Sequence, residues 1–179
     1  MSVSYGERII FEHLNFSINN GQRIVLQGKN GCGKSSVLKK ILGENIPCNG
    51  KIEMASGLII SYVSQDTSFL RGNLTDFAIE NQLDESLFKA LLRKLDFSRI
   101  QFEKNIEDFS GGQKKKVLIA KSLCEQAHLY VWDEPLNFID IFSRMQIEQL
   151  IKQYSPTMLL VEHDRAFVNE IATDIYSIN

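Results

Sequence analysis

The feature that most constrains this fold is a glycine-rich loop at residues 28–35, with the sequence Gly-Lys-Asn-Gly-Cys-Gly-Lys-Ser. Residues 23–27 before it are mostly apolar and predict a short buried strand. Residues 36–42 after it predict a helix, which Gly43 ends. A strand, a tight loop and a helix in this order begin an α/β fold with a parallel sheet.

The spacing within the loop predicts a phosphate-binding site. Gly28 and Gly33 are separated by four residues and are followed by Lys34 and Ser35. Backbone N–H groups of such a loop surround a phosphate, the lysine neutralises its oxygens, and the serine hydroxyl binds Mg²⁺. The alternative, an ordinary glycine-rich turn, is disfavoured by the flanking strand and helix. The expected cofactors are ATP and Mg²⁺. The predicted ligands in this segment are Gly28, Asn30, Gly31, Gly33, Lys34, Ser35 and Ser36.

Two carboxylates follow a second apolar strand, predicted at residues 129–132. In a phosphate-loop ATPase, Asp133 would hold Mg²⁺, and Glu134 would orient and deprotonate the attacking water. A surface turn with two acids before Pro135 is the alternative. The position of the pair after a phosphate loop favours the catalytic interpretation.

Other segments complete an α/β prediction. Residues 51–54 and 58–63 predict a hairpin, because they are rich in apolar residues and flank a short turn. Residues 84–95 carry apolar side chains four apart, as on one face of a helix. Residues 158–161 predict another central strand. The expected fold has a mixed, mainly parallel central sheet, a small antiparallel β layer and a short helical subdomain at about residues 66–126.

Composition limits what this domain can be. With 179 residues, 44% of them hydrophobic, the chain is expected to form one domain over residues 1–179. No apolar run approaches the roughly 18 residues needed to span a bilayer, and the N-terminus lacks a secretion signal. We therefore expect a soluble, cytoplasmic domain. Cys32, Cys48 and Cys124 have neither disulfide nor zinc spacing. The net charge of -2 argues against a general nucleic-acid surface.

The order of these motifs resembles that of ATP-binding cassette (ABC) domains, over nearly the whole chain. Residues 109–113, Phe-Ser-Gly-Gly-Gln, resemble the family's Leu-Ser-Gly-Gly-Gln signature and precede the Asp133–Glu134 pair. The exchange of leucine for phenylalanine is apolar for apolar and should preserve packing. The resemblance implies an ABC-type P-loop NTPase core. The signature residues implied to contact ATP bound on an opposite cassette are Ser110, Gly111, Gly112 and Gln113.

The same resemblance implies roles for four residues elsewhere in the chain. Gln65 would sense Mg²⁺ and the attacking water, His163 would hydrogen-bond the γ-phosphate, and Asp140 would couple the two ATP sites. Tyr5 resembles the family's aromatic residue that stacks on adenine; an ordinary strand-end tyrosine is the alternative. The implied partner is a second cassette, either in the same full-length chain or in a homodimer.

A helix is predicted behind the signature, with Val117, Ala120 and Cys124 on its buried face. Residues 114–116 are three consecutive lysines, Lys114, Lys115 and Lys116. We expect them to form a solvated helix face. An RNA-binding patch is the alternative, and the negative net charge disfavours it.

The heptapeptide from Glu134 to Asp140, Glu-Pro-Leu-Asn-Phe-Ile-Asp, resembles the Glu-Pro-Thr-Asn-His-Leu-Asp pattern of the ABC-F class. Proteins of that class carry two cassettes on one chain, lack membrane domains and act on ribosomes. The variant here resembles the second cassette of antibiotic-resistance members, which protect ribosomes. The resemblance therefore implies ATP hydrolysis in a ribosome-associated protein, with ribosome and rRNA contacts made by regions outside this sequence.

An ATP-binding subunit of a membrane transporter, docked on a permease, is the alternative function. Only 44 residues lie between Gln65 and Ser110, which is short for a transporter cassette. A DNA-repair ABC ATPase, and with it a DNA partner, is disfavoured because this insertion has no sustained heptads. ABC cassettes usually have a strand before the adenine-stacking aromatic, so we expect an excised cassette. Its isolated ATPase activity should be weak, because half of each site belongs to the partner.

Overall fold

The computed structural model describes residues 2–5, 8–11, 14–49 and 51–178. Strands and helices alternate from residue 129 to residue 178, as is typical of an α/β fold, and consecutive helices lie between residues 74 and 124. The elements in chain order are β1 (Ser2–Tyr5), β2 (Arg8–Phe11), β3 (Arg23–Gly28), α1 (Lys34–Ile41), β4 (Cys48–Asn49), β5 (Ile60–Val63), α2 (Leu74–Glu80), α3 (Glu85–Lys94), α4 (Arg99–Phe102), α5 (Gly111–Cys124), β6 (Leu129–Asp133), α6 (Ile141–Tyr154), β7 (Met158–Val161), α7 (Arg165–Ile171) and β8 (Asp174–Ile178).

A five-stranded sheet in the order β5-β6-β7-β3-β8 forms the centre of the fold. All of its described pairings are parallel, so this sheet is parallel throughout rather than mixed. The strands predicted at residues 23–27, 129–132 and 158–161 are confirmed as β3, β6 and β7. Because these three strands are parallel and adjacent, their carboxyl ends lie at one edge of the sheet. Ligands of open α/β sheets bind at this edge.

The predicted hairpin is wrong. Residues 51–54 form no strand, although Gly57 does occupy a turn with a φ of +72°. The second half of the predicted hairpin becomes β5, which pairs in parallel with β6 at the edge of the central sheet. The physical reason is burial: Ser61 and Val63 point into the core, which an exposed hairpin would not allow. The small antiparallel layer exists, but β1, β2 and β4 form it.

The core lies on both faces of the sheet, as expected for central parallel strands. On one face, Val25, Trp132 and Leu160 pack against residues of α2, α3, α5, α6 and α7. On the other face, Ile24 and Leu26 pack against α1 and against the chain segments around residues 14–18 and 46–58. The alternation along each strand therefore divides its side chains between two apolar layers.

Helix boundaries follow local capping rules. Helix α1 begins directly after Gly33, two residues earlier than predicted, and ends before Gly43, whose φ is +87°. Helix α3 begins at Glu85, directly after the N-cap Asp84, whose carboxylate accepts a hydrogen bond from the Leu87 backbone N–H at 2.9 Å. Helices α2 to α5 all fall between β5 and β6, where the sequence predicts a helical subdomain. Within the described residues, no helix is long and apolar enough to cross a membrane.

Candidate active site

The glycine-rich loop connects the end of β3 to the start of α1. Lys34 is buried, and its ammonium donates to the carbonyl oxygens of Gly28 at 2.9 Å and Lys29 at 3.0 Å. The loop therefore closes around its own lysine. Gly33, at the N-cap of α1, has a φ of +94°, a left-handed conformation that glycine adopts without steric cost. The loop thus presents a charged group and a helix N-terminus at the same place.

Asp133 ends β6 and is buried beside this loop. Its Oδ1 atom has no hydrogen-bond partner among the described residues, while its carboxylate accepts a hydrogen bond from the Ser35 hydroxyl. Burial is the main cause that raises the pKa of Asp133, and the Glu134 charge adds to the rise. The Ser35 hydrogen bond and the ammonium groups of Lys115 and Lys34 lower this pKa in part.

These two oxygen-bearing side chains fit a Mg²⁺ ion. Mg²⁺ prefers oxygen ligands and is usually held by one or two carboxylates together with substrate phosphates. The buried Asp133 oxygen without a partner and the adjacent Ser35 hydroxyl supply such a set. Within the described part of the chain, no group of three or more His, Cys, Asp or Glu side chains is placed to hold a metal ion by itself.

The Glu134 carboxylate is held by side chains from three separate segments. Its Oε2 accepts hydrogen bonds from the Gln65 amide at 2.8 Å and from the Asn137 amide at 2.7 Å. The His163 Nε2 lies 3.5 Å from its Oε1. Glu134 itself has a φ of +48°, which is unusual for a residue with a side chain and is often found at functional sites.

The structure brings eight of the predicted site residues into one cleft. This cleft has a volume of about 460 Å³. It is lined by Asn30, Gly31, Gly33, Lys34, Ser35, Ser36, Gln65 and Glu134. Three further predicted site residues contact the cleft residues directly, since the Gly28 carbonyl oxygen accepts from Lys34, Asp133 accepts from Ser35 and His163 lies beside Glu134.

A larger cavity, of about 1080 Å³, contains none of these residues. Leu129 and Thr157, which line it, mark the amino ends of β6 and β7. It therefore lies at the edge of the sheet opposite to Asp133, Glu134 and His163. The smaller cleft is the better candidate site because it holds the charged groups at the carboxyl edge.

The signature residues do not line this cleft. Ser110 is the N-cap of α5; its hydroxyl accepts from the Gln113 backbone N–H at 3.3 Å, and the Gln113 side chain accepts from the Ser110 N–H at 2.9 Å. This reciprocal pair is a capping box. Ser110 and Gly111 are exposed, whereas Gly112 is buried against the Phe138 backbone. The exposed first turn of α5 therefore faces outward, away from the cleft of its own chain.

The lysines of the run at 114–116 do not form a solvated face, so that prediction is wrong for two of them. Lys115 and Lys116 are buried, and Lys114 is partly exposed. The Lys115 ammonium donates to the carbonyl oxygens of Ser64 at 2.8 Å and Gln65 at 3.2 Å. The Lys116 ammonium lies 2.6 Å from the Asp140 carboxylate. These acceptors come from distant segments, so nothing in the local helical pattern indicates them.

Asp140 is the N-cap of α6, outside the cleft. Its carboxylate accepts from the Ser143 backbone N–H at 2.8 Å and from the Ser143 hydroxyl at 2.9 Å. Partial burial raises the pKa of Asp140, but the hydrogen bonds from Lys116 and Ser143 outweigh it and lower this pKa to about 2. Asp140 therefore holds the loop between β6 and α6 against the signature helix.

Replacing Asp140 with asparagine should remove a pH-dependent part of the stability. The depressed pKa means that the charged carboxylate stabilises the fold above about pH 4, and that this contribution is lost as the pH falls towards 2. Its side chain is 47% exposed, so solvent screening limits the contribution to about 1 kcal/mol. Asparagine keeps the N-cap. Thermal unfolding of both proteins between pH 2 and 7 should show a difference above pH 4 that vanishes near pH 2; a constant difference would contradict the assignment.

Four residues of this region were not among the predicted site residues: Asn137, Lys115, Lys116 and Glu162. Buried Glu162 accepts from the backbone N–H groups of Leu136 at 3.2 Å, His163 at 2.6 Å and Asp164 at 3.0 Å. Its position next to His163 is the one signal that the sequence offered. Tyr5 is the last residue of β1, but its side chain lies outside the described part of the structure, so adenine stacking stays a prediction.

Comparison with known proteins places this geometry in a family. A sequence model of the ABC transporter family matches residues 11–137, which include the glycine-rich loop, the signature and the Asp133–Glu134 pair. The ATP-binding protein Uup of Buchnera aphidicola is 34% identical, over 92% of this chain and 29% of that protein. The ribosome protection protein VmlR of Bacillus subtilis is 32% identical, over 95% of this chain and 31% of that protein. ABC transporter F family member 2 of Arabidopsis thaliana is 28% identical, over 97% of this chain and 26% of that protein.

The fold comparison agrees with the sequence comparison. The archaeal ribosome recycling factor aABCE1, solved in a complex with the ribosomal stalk protein aP1, matches with a TM-score of 0.73 and 25% identity. The match covers 89% of this chain and 32% of that one. The chain thus spans about a third of the length of the relatives it matches. The extensive family match, which contains the loop, the signature and the acidic strand end, shows that this chain belongs to the ABC transporter family as one of its ATPase domains, with homologues in the F family.

Proposed function

We propose that this chain binds Mg-ATP in the cleft beside residues 28–35 and hydrolyses it when a second cassette closes over that cleft. Membership of the family implies nucleotide binding and ATP hydrolysis in general terms. The observation that carries the assignment to particular residues is the position of Glu134. Its carboxylate lies at the cleft and is oriented by Gln65, Asn137 and His163.

Each group in the cleft has a defined chemical task. Lys34 and the N-terminus of α1 supply positive charge for the β- and γ-phosphates. Ser35 and Asp133 would hold Mg²⁺, which supplies charge neutralisation to the phosphates when bound. Glu134 accepts the proton of the attacking water, and the amides of Gln65 and Asn137 keep its carboxylate in one orientation. His163 lies beside this carboxylate and is suited to hydrogen-bond the γ-phosphate.

The exposed signature supports a site shared between two cassettes. Ser110 and Gly111 face outward. In this position they would contact ATP that is bound to a second cassette, across the interface between the two. The surface beside them is apolar, since Phe138 is 85% exposed and Ile141 is 77% exposed. Exposed apolar patches, rather than single apolar side chains, mark interaction sites, and Phe142 and Met145 of α6 are also more than half exposed. We infer that residues 1–179 form one cassette, with a helical subdomain at about 66–126, that completes its site with a second cassette.

A complementation experiment tests the shared site in this chain. Lys34→Ala removes the phosphate-binding charge but keeps the signature, and Ser110→Arg blocks the signature but keeps the cleft. Each variant alone should be nearly inactive. An equimolar mixture should hydrolyse ATP at least about 10-fold faster than either, because a mixed dimer contains one intact site. The rates are measured by phosphate release at several protein concentrations.

The control is a mixture of Lys34→Ala with a protein that carries both substitutions, which offers no intact site and should stay inactive. The rate of the unmodified chain should also rise faster than linearly with protein concentration, because two copies must meet. A linear rate, with no recovery in the mixture, would show that each chain works alone and would refute the shared site.

For the whole protein we propose a cytoplasmic ABC-F ATPase that acts on ribosomes and protects them from antibiotics. Support comes from the heptapeptide 134–140, from the ribosome protection protein VmlR and from the ribosome recycling factor aABCE1. The full-length protein carrying Glu134→Gln should co-sediment with ribosomes in ATP and be released in ADP. Co-purification with a membrane permease instead would favour the transporter alternative.

A further inference from the structure

Lys115 is a buried cation outside the phosphate loop. Only 2% of the surface of Lys115 is exposed, although lysine is among the residues least often buried. It lies on α5, five positions after the N-cap Ser110, where an apolar side chain would fill the same space without cost from desolvation. A lysine at this position therefore indicates a specific interaction of its ammonium group.

The acceptors of this ammonium lie on the loop after β5. Lys115 Nζ donates to the carbonyl oxygens of Ser64 at 2.8 Å and of Gln65 at 3.2 Å. The ladder between β5 and β6 ends at Val63, so these two residues are the first beyond the sheet. The next link in the chain of contacts is the Gln65 side chain, which donates to Glu134 at 2.8 Å. Lys115 thus holds the backbone from which Gln65 reaches the carboxylate.

The surrounding charges make this burial tolerable. Burial lowers the pKa of Lys115, while the carboxylates of Asp133, Glu134, Glu162 and Asp66 raise it in part. Four carboxylates therefore favour the charged form of the ammonium electrostatically, in addition to the two carbonyl oxygens that accept its hydrogen bonds. Removing the ammonium group alone would leave its buried acceptors and the opposite charges without a partner, and such a loss is strongly destabilising.

The neighbouring Lys116 makes a different connection, because it pairs with Asp140 on the loop before α6. Two consecutive residues of the signature helix therefore hold two different loops of the site. Lys114, which precedes them, has a partly exposed side chain. The run of three lysines thus offers its own control, since Lys114 has the same charge on the same helix but lacks the burial and the carbonyl contacts of Lys115.

We propose that Lys115 is a positioning residue that connects the signature helix to the Gln65 backbone and thereby sets the Gln65–Glu134 contact. This proposal rests on the ATPase function proposed above. Lys115 does not touch the nucleotide cleft, so its removal should change turnover and leave ATP affinity nearly unchanged.

The test compares Lys115→Met with Lys114→Met in this chain. Methionine has a similar length but has no donor and no charge. Lys115→Met should lower kcat for ATP hydrolysis by about 10-fold with KM changed by less than about 2-fold, and Lys114→Met should leave both unchanged. Lys115→Arg, which can donate to both carbonyls, should recover kcat to within about 3-fold of the unmodified chain. Failure of arginine to recover activity would overturn the positioning role.

A double variant tests whether Lys115 acts through Gln65. If it does, Lys115→Met should have little further effect on kcat once Gln65→Ala is present, because both changes remove the same contact. Independent effects that multiply in the double variant would overturn the proposal.

Folding is checked by the fluorescence emission of Trp132, the single tryptophan, which is buried and donates to the Ser122 hydroxyl oxygen at 2.9 Å. If the methionine variant does not fold, Lys115→Gln replaces it and should slow turnover by about 3- to 10-fold; unchanged turnover would overturn the proposal.

Hydrogen exchange gives a readout independent of turnover. Amides of the loop after Val63 should exchange faster in Lys115→Met than in the unmodified chain and in Lys114→Met, because the two carbonyl contacts are lost. Equal exchange in all three proteins would refute the connection. If the unmodified chain hydrolyses no ATP at any concentration, the proposed function fails; faster exchange in Lys115→Met alone would then still support the structural link.

Discussion

Replacing Glu134 with glutamine should lower the rate constant of ATP hydrolysis by at least about 100-fold and leave ATP binding nearly unchanged. A general base contributes roughly 10²- to 10⁴-fold to such a reaction. The glutamine amide has the same shape, and its oxygen can still accept from Gln65 and Asn137, which now donate at 2.8 Å and 2.7 Å. What is lost is the ability to take a proton from water, together with the negative charge of the carboxylate.

The measurement is single-turnover hydrolysis at high protein concentration, together with ATP affinity from binding titrations. Because hydrolysis is blocked after binding, the variant should also accumulate as an ATP-bound dimer, which size-exclusion chromatography detects. Glu148→Gln is the matched control, since Glu148 pairs with Arg144 on α6, away from the cleft. Hydrolysis by Glu134→Gln within about 3-fold of the unmodified chain would remove Glu134 from the role of base.

Replacing Gly112 with alanine should destabilise the fold by about 1–3 kcal/mol, a typical cost of overpacking. A Cβ atom on Gly112 would lie 2.3 Å from the Phe138 carbonyl oxygen. This neighbour is backbone, so no side-chain rotation relieves the overlap, and Phe138 already has a φ of +66°. Either the first turn of α5 or the loop before α6 must move. The contact between the signature helix and that loop should therefore be lost.

Gly111→Ala is the matched control for this substitution. Gly111 is the preceding residue of the same helix, but a Cβ atom there would meet the Phe138 ring at an ordinary 3.6 Å. Alanine favours a helix over glycine by up to about 1 kcal/mol, so Gly111→Ala should be neutral or slightly stabilising. The midpoint of thermal unfolding should therefore be several degrees lower for Gly112→Ala, but not for Gly111→Ala. Equal midpoints for the two variants would contradict the close approach of α5 to Phe138.

The sheet strands illustrate how far sequence patterns reach. Strands β6 and β7 were predictable because continuous apolar runs are typical of strands buried on both faces. Residues 58–63 carry a similar signal, but the predicted partner, a neighbouring segment in a hairpin, is wrong. Their true partner is β6, about 70 residues away in sequence. Apolar periodicity indicates a strand, whereas the choice of its partner depends on the packing of the whole core.

The lysine run shows the same limit for side chains. Three adjacent lysines on a predicted helix were expected to be solvated, yet Lys115 and Lys116 are buried. Their charges are compensated by the carbonyl oxygens of Ser64 and Gln65 and by the carboxylate of Asp140. The carbonyls belong to a loop some 50 residues earlier and the carboxylate to one more than 20 residues later. No local pattern contains that information.

The sequence by itself determined the chemistry of the candidate cleft. Residues 28–35 and the Asp133–Glu134 pair are short motifs that residue type, spacing and the flanking strand and helix patterns predict. Only the tertiary structure decided how Glu134 is oriented, because Gln65 and His163, on either side of its carboxylate, are distant from it in sequence, whereas Asn137 is three residues away. It also decided which loops the signature helix holds. Contacts between segments distant in sequence depend on the packed sheet and helices, and such contacts have no signature in any single stretch of residues.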